Sequence, residues 1–373
     1  MTISTNARPA IGPSQLAARL AAGEPITVLD IRDDASWGID ASTITHRHVL
    51  AADVLADPAR SATELQGPVA VVCNRGLTAQ PVAEALRAQG VDAAFVEGGM
   101  RGWIAALQAW PVPLEIDQLT VHQVQRPGRG CLSYVLASAG RALVVDPAPD
   151  AGFYVALAAE LGATITDVVD THLHADHLSG ARELAERTGA ALRLPAAALE
   201  RGVAYADRVT ALNDGDELAL GNVPVRALAL PGHTTDMTGL VVAGRVLIGG
   251  DSLFADGLAR PDLQRGDPGG ARAMGRILHA TLHERVLALG DDVVLLPGHT
   301  APGVHAAAIA PTLGEVRRRV PELEISDPGD FAEALLADMP PRPANYEAVI
   351  AANAGMQPLD AELETGANSC STR

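Results

Sequence analysis

The 373-residue sequence contains no lysine, so all 28 of its basic side chains are arginine. Set against 45 acidic residues they leave a formal net charge of −17. A field of that sign repels phosphate backbones, which excludes nucleic acid as an expected partner. No apolar run reaches the roughly 18 residues that a membrane helix needs, so no membrane partner is expected. The first dozen residues lack the charged-then-apolar pattern of a secretory signal. Cysteine is scarce: Cys73, Cys131 and Cys370 are an odd set with no zinc-ribbon spacing. Such usage suits a reducing compartment and points to the cytoplasm. Self-association is left open.

What remains is a chain long enough for two domains. From 14 to 110 it reads as a small α/β unit. Its short apolar runs Ile26–Leu29, Val69–Val72 and Ala93–Val96 alternate with helical spacing, as in a buried parallel sheet. Pro111-Val112-Pro113 is the natural linker. A larger unit runs from 115 to 310, with strands expected at 132–137, 142–145, 167–171, 223–230, 240–242, 246–249 and 293–296. Helices are expected at 153–161, 181–188, 196–201 and 270–280. Residues 311–373 read as a helical extension, with helices near 329–336 and 345–354, and a disordered tail after Gly366.

The chemistry concentrates in Thr171-His172-Leu173-His174-Ala175-Asp176-His177, directly after an apolar strand. His233 and His299 each follow Pro-Gly, and Asp251 follows Gly-Gly. Buried imidazoles and carboxylates need partners, and a metal ion satisfies several at once. Loops at strand ends hold such ligands rigidly yet near solvent.

This set resembles the metallo-β-lactamase superfamily over roughly 119–299. The resemblance implies an αβ/βα sandwich and seven ligand positions: His172, His174, Asp176, His177, His233, Asp251 and His299. Two occupancies follow. Two zinc ions would use all seven and make hydroxide for hydrolysis. A single Fe(II) per chain would use His172, His233 and Asp251, a facial two-histidine, one-carboxylate set with open positions. His174, Asp176, His177 and His299 would then stand behind the metal or hold a second one.

Downstream, Ala259-Arg260-Pro261-Asp262-Leu263 resembles the persulfide dioxygenase branch of that superfamily. The resemblance implies that Arg260 binds the anionic end of a thiol persulfide and that Asp262 orients it. Thr300-Ala301-Pro302 follows His299 where glutathione-using relatives often carry a tyrosine, so the carrier thiol is left open. The N-terminal unit resembles rhodanese domains through Leu29-Asp30-Ile31-Arg32, the loop Cys73-Asn74-Arg75-Gly76-Leu77-Thr78, and Glu97-Gly98-Gly99-Met100-Arg101-Gly102-Trp103. Two features depart from that pattern: Thr78 stands where arginine is common, and no Gly-His-Ile-x-Gly-Ala segment follows Trp37. Cys73, in a loop entering a helix, is positioned for a thiolate that accepts sulfur.

The sequence therefore leads to a fold of two α/β parts: a rhodanese-like parallel-sheet domain and a metallo-β-lactamase sandwich with a helical extension. The expected activity is Fe(II)-dependent oxidation of a low-molecular-weight thiol persulfide by O2 to sulfite, with Cys73 moving sulfur to or from thiosulfate or sulfite. A two-zinc thioester hydrolase of the glyoxalase II type is the alternative. Cys131, in the apolar run Gly130–Val135, reads as core. His46, His48, His122, His279, His283 and His305 read as surface or packing residues.

Overall fold

A computed structural model describes residues 10–39, 44–264, 267–337 and 339–366. The expected tail after Gly366, Cys370 included, lies outside them.

The N-terminal sheet consists of β1 (Ala10–Ile11), β2 (Thr27–Asp30), β3 (His46–His48), β4 (Val69–Val72) and β5 (Ala93–Val96), in the order β1-β5-β4-β2-β3. Every pairing in it is parallel. Parallel strands need crossover connections, which cover both faces and permit continuous apolar strands. Accordingly all four residues of β2 and of β4 are buried. One face packs Leu16, Val28, Val72 and Trp103; the other packs Val54, Val71, Val82 and Leu86.

Two further sheets face each other. The first has seven strands: β6 (Gln108–Pro111), β7 (Thr120–Gln125), β8 (Leu132–Ser138), β9 (Arg141–Val145), β10 (Thr164–Val169), β11 (Ala191–Pro195) and β12 (Val209–Leu212), ordered as in the chain. Strands β6 to β9 pair antiparallel, and β9 to β12 parallel. The second has β13 (Glu217–Leu220), β14 (Val223–Ala229), β15 (Thr238–Val242), β16 (Val246–Gly250) and β17 (Val294–Pro297), antiparallel up to β16 and parallel between β16 and β17.

The central core lies between these sheets, with Leu132, Leu136, Val145, Val225, Leu240 and Ile248 in contact. Helices Ala151–Glu160 and Ala181–Thr188 cover the outer face of one sheet. Helices Pro268–Thr281 and Pro328–Ala337 cover the other. This is the four-layered αβ/βα arrangement expected from the sequence. Its parallel strands β9, β10, β16 and β17 all end toward one edge loop system, which carries Asp146, the His172 loop, Asp251 and His299.

Pro111 closes strand β6, and Val112 and Pro113 follow it outside any strand. Strand β6 pairs with β7 at the edge of the seven-stranded sheet, so the chain leaves the N-terminal part by hydrogen-bonding directly to the next.

Candidate metal centre

The segment after β10 carries four of the expected ligands, and side chains distant in sequence hold its backbone. Asp146, at the end of β9, accepts from the Thr171 N–H at 2.7 Å and the Thr171 hydroxyl at 2.8 Å. Asp236 accepts from the Leu173 N–H. Asn353, in the C-terminal helix Tyr346–Asn353, donates to the carbonyls of His174 and His177 at 3.0 and 2.8 Å. Glu364 accepts from the Leu178 N–H at 3.0 Å. A buried loop must satisfy its backbone groups, and this one does so largely through side chains.

Among the described residues the donors sort into three groups. The first is His172, His233 and Asp251, all 1% exposed or less. His172 Nδ1 meets the Thr171 hydroxyl at 3.0 Å, and His233 Nδ1 meets the Arg260 carbonyl at 2.8 Å. Asp251 Oδ1 contacts His299 Nδ1 at 2.7 Å. These contacts use one atom of each residue. The remaining atoms, both Nε2 and Asp251 Oδ2, are buried without a hydrogen-bond partner among the described residues. They face each other, with His172 Nε2 3.9 Å and His233 Nε2 3.8 Å from Asp251 Oδ2.

Two donors each about 2.1 Å from one ion stand at most about 4.2 Å apart, so this spacing fits a single metal ion. Burial, followed by repulsion from His174, holds the His172 imidazole well below its usual pKa, which favours the neutral, ligating form. Burial opposes ionisation of Asp251, but His299, His172 and His233 together hold its carboxyl well below the carboxylate range.

Glycines make this approach possible. At Gly298 a Cβ would lie 2.4 Å from Asp251 Oδ1, and at Gly232 it would lie 2.5 Å from Leu278 Cα. The Pro-Gly pairs before His233 and His299 thus serve close packing as well as turning.

The second group is Asp176, His177, His299 and Cys131, all buried. His299 Nε2 is 2.7 Å from Asp176 Oδ2, and His177 Nδ1 is 3.0 Å from Asp176 Oδ1. Burial raises the Cys131 thiol, but the paired His177 and His299 outweigh it and pull the pKa down to about 5. Cys131 is buried, as expected of a core residue, and its sulfur also faces the two imidazoles. Its apolar run was legible; the isolated bridge that brings His299 beside it was not.

The third group, Asp146, Asp170 and His174, places His174 Nε2 3.1 Å from Asp146 and 3.8 Å from Asp170. His174 Nδ1 is buried and has no hydrogen-bond partner among the described residues. None of His46, His48, His122, His279, His283 and His305 joins these groups.

Arg260 is fully buried. Its guanidinium donates to both Asp262 oxygens, at 2.7 and 3.0 Å, and to the carbonyls of Pro340 and Pro341. Its own carbonyl orients His233.

In the N-terminal part, Cys73 follows β4 and precedes the helix Ala79–Ala88. The Gly76 N–H donates to its sulfur at 3.1 Å. Gly99 backs the loop so closely that a Cβ there would lie 2.2 Å from the Cys73 carbonyl. Arg75, in the loop, and Arg101, beside it, both pair with Glu362 of the C-terminal segment. Asp30 and Arg32 form a fully buried ion pair, which accounts for that motif structurally.

Residues 126–299 match the family model described as metallo-beta-lactamase superfamily, and residues 12–106 match the rhodanese-like domain. A hydroxyacylglutathione hydrolase of Anaeromyxobacter dehalogenans is 33% identical over 54% of this chain and 74% of its own. The mitochondrial persulfide dioxygenase ETHE1 of Homo sapiens is 26% identical over 56% of this chain and 77% of its own. The crystal structure of ETHE1 from Myxococcus xanthus superposes with a TM-score of 0.55 at 27% identity, covering 63% of this chain and 98% of that one. The chain spans 44–60% of the length of several other hydroxyacylglutathione hydrolases that it matches.

Proposed function

Because the chain belongs to the metallo-β-lactamase superfamily and carries a rhodanese-like domain ahead of that fold, we propose that it is an Fe(II)-dependent persulfide dioxygenase with sulfur transfer at Cys73. The observation that carries this reading is the separate group of His172, His233 and Asp251, whose three unpartnered donor atoms fit one ion. Two imidazoles and one carboxylate leave positions for two further ligands. The reaction is RSSH + O2 + H2O → RSH + H2SO3.

Fe(II) held there would supply the redox chemistry with O2 that protein side chains lack. The chain's residues supply orientation. Arg260 through its carbonyl, Thr171 through its hydroxyl, and His299 through its ring each fix one ligand and leave its other donor atom aimed inward. The sequence resemblance supports Arg260 as the residue that would meet an anionic carrier; to do so, Arg260 would exchange the Pro340 and Pro341 carbonyls it holds in the structure. Cys73 would accept sulfane sulfur from thiosulfate, releasing sulfite, and pass it to a thiol. We place this chemistry in the cytoplasm, where the free thiols stay reduced; among the described residues no helix is long and apolar enough to cross a membrane.

Oxygen uptake by the Fe(II)-loaded protein, matched by sulfite and abolished in His233→Ala, is the expected result. No uptake across several persulfides, with thioester hydrolysis by the zinc-loaded protein, would overturn it. The likeness to hydroxyacylglutathione hydrolases, together with the second donor group, favours that hydrolase as the alternative. It requires His177, whereas the dioxygenase does not: His177→Ala separates the two.

A further inference from the structure

The sequence resemblance gives a second metal Asp176, His177 and His299, and leaves open whether Asp251 serves one ion or two. In the structure Asp251 is already committed: Oδ2 faces the two Nε2 atoms of the first group, and Oδ1 contacts His299. The fourth donor around Asp176, His177 and His299 is instead the sulfur of Cys131, and the ligand atoms of all four residues lie within 4.8 Å of one another.

Cys131 is clamped there by backbone. It bridges His299 in antiparallel fashion, Leu132 N–H donates to the Gly298 carbonyl at 2.8 Å, and Thr300 N–H donates to the Gly130 carbonyl at 2.9 Å. The Cys131 carbonyl accepts from Arg126 N–H at 3.0 Å. A Cβ at Gly130 would lie 2.1 Å from the Thr300 carbonyl, so only glycine allows the two segments to meet this closely. Asp176 is steadied by its neighbours as well, since the Arg129 guanidinium donates to its carbonyl.

We infer that Cys131, Asp176, His177 and His299 form a second metal site, separate from the first, that takes a soft divalent ion such as Zn2+ or Cd2+ through a thiolate. One sulfur, two nitrogens and one oxygen are a donor set of the tetrahedral zinc type. Thiolate selects against Mg2+ and Ca2+, which take oxygen ligands. The first group, with two nitrogens and one oxygen, has no sulfur. The two groups thus sort metals by softness, and His299 touches both through its two ring nitrogens.

The test is titration of the full chain with Co2+, a spectroscopic stand-in for zinc. Two equivalents should bind, one of them bringing a thiolate-to-cobalt charge-transfer band. Cys131→Ser should lose that band and weaken that equivalent by at least about tenfold, while the other still binds. Its retained equivalent also shows that the variant is folded. His177→Ala, which keeps the thiol, should weaken the same equivalent. Cys73→Ser should keep the band. Two bound equivalents with no thiolate band, or a band that survives Cys131→Ser, would overturn the site. The proposal rests on the first group being a metal site, but not on the dioxygenase reaction: oxygen uptake is measured separately and can fail while the thiolate band remains.

Discussion

At the scale of single residues, the candidate metal donors were legible because their spacing has no packing explanation. His172, His233 and Asp251 were readable as a set, and they do converge. Asp146 was not readable. It is one acid after a strand, followed by proline, and many acids stand so. Its signal is conformational: it sits at φ 51°, unusual for a residue other than glycine. It accepts two hydrogen bonds from Thr171, the residue whose hydroxyl fixes His172, and contacts His174. Asp146→Ala leaves buried donors unsatisfied, each costing about 1–3 kcal/mol. It should also lower metal affinity about 10–100-fold, as loss of an orienting partner does. Metal content after dialysis against a chelator, measured beside a urea melt, checks both. Unchanged retention would show that Thr171 and His172 hold their positions without Asp146.

At the scale of elements, the strongly apolar strands and the helices of the extension were legible, and several strands were not. Strand β7 hides because its inward residues include Gln123 and Gln125. Gln125 donates to Gln123, and both donate onward to the carbonyls of Ile309 and Ala307. Polar residues satisfied by distant backbone leave no hydrophobic period to read. The extension read as helices and a tail, but its last turn, Ala361–Glu364, holds the site. Glu364, 5% exposed, pairs bidentately with Arg126 at 2.7 and 2.9 Å and holds the loop after His177. Burial opposes ionisation of Glu364, but Arg126 outweighs it and brings the carboxyl down from 4.5 to about 2. A folded-state pKa below the unfolded one contributes stability that is fully present above pH 4.5 and is lost as pH falls toward 2. At 1.36 kcal/mol per unit the contribution is about 3 kcal/mol. Glu364→Gln should therefore destabilise the chain at neutral pH by about 3 kcal/mol, with the difference from the parent closing as pH drops. Urea melts at pH 7, 5 and 3 would show it; a gap that does not narrow would place the effect in packing rather than charge.

At the scale of the whole molecule, the pairing of two α/β parts was legible, but not how they meet. Arg126 donates to the Ile104 carbonyl of the N-terminal part as well as to Glu364, so one arginine joins both parts to the extension. Glu362, two residues earlier, reaches the Cys73 loop. The net charge of −17 then acts on every anionic substrate. If Cys73 takes sulfur from thiosulfate as proposed, the anion would meet a repulsive field on approach, and the arginines that would offset it, Arg75 and Arg101, are both engaged by Glu362. Salt shortens the reach of that field from about 30 Å at 0.01 M to about 8 Å at 0.15 M. Raising ionic strength should therefore increase kcat/KM for thiosulfate–thiol sulfur transfer several-fold, while alkylation of Cys73 by neutral iodoacetamide stays flat. In Glu362→Gln the two arginines are released beside Cys73, and local attraction should replace distant repulsion: kcat/KM at low salt rises, and the salt trend flattens or reverses. Cys73→Ser, as the control, should abolish transfer while leaving oxygen uptake with free persulfide within about twofold. A parent enzyme whose sulfur transfer falls with salt would show that Arg75 and Arg101 already act on the substrate despite Glu362.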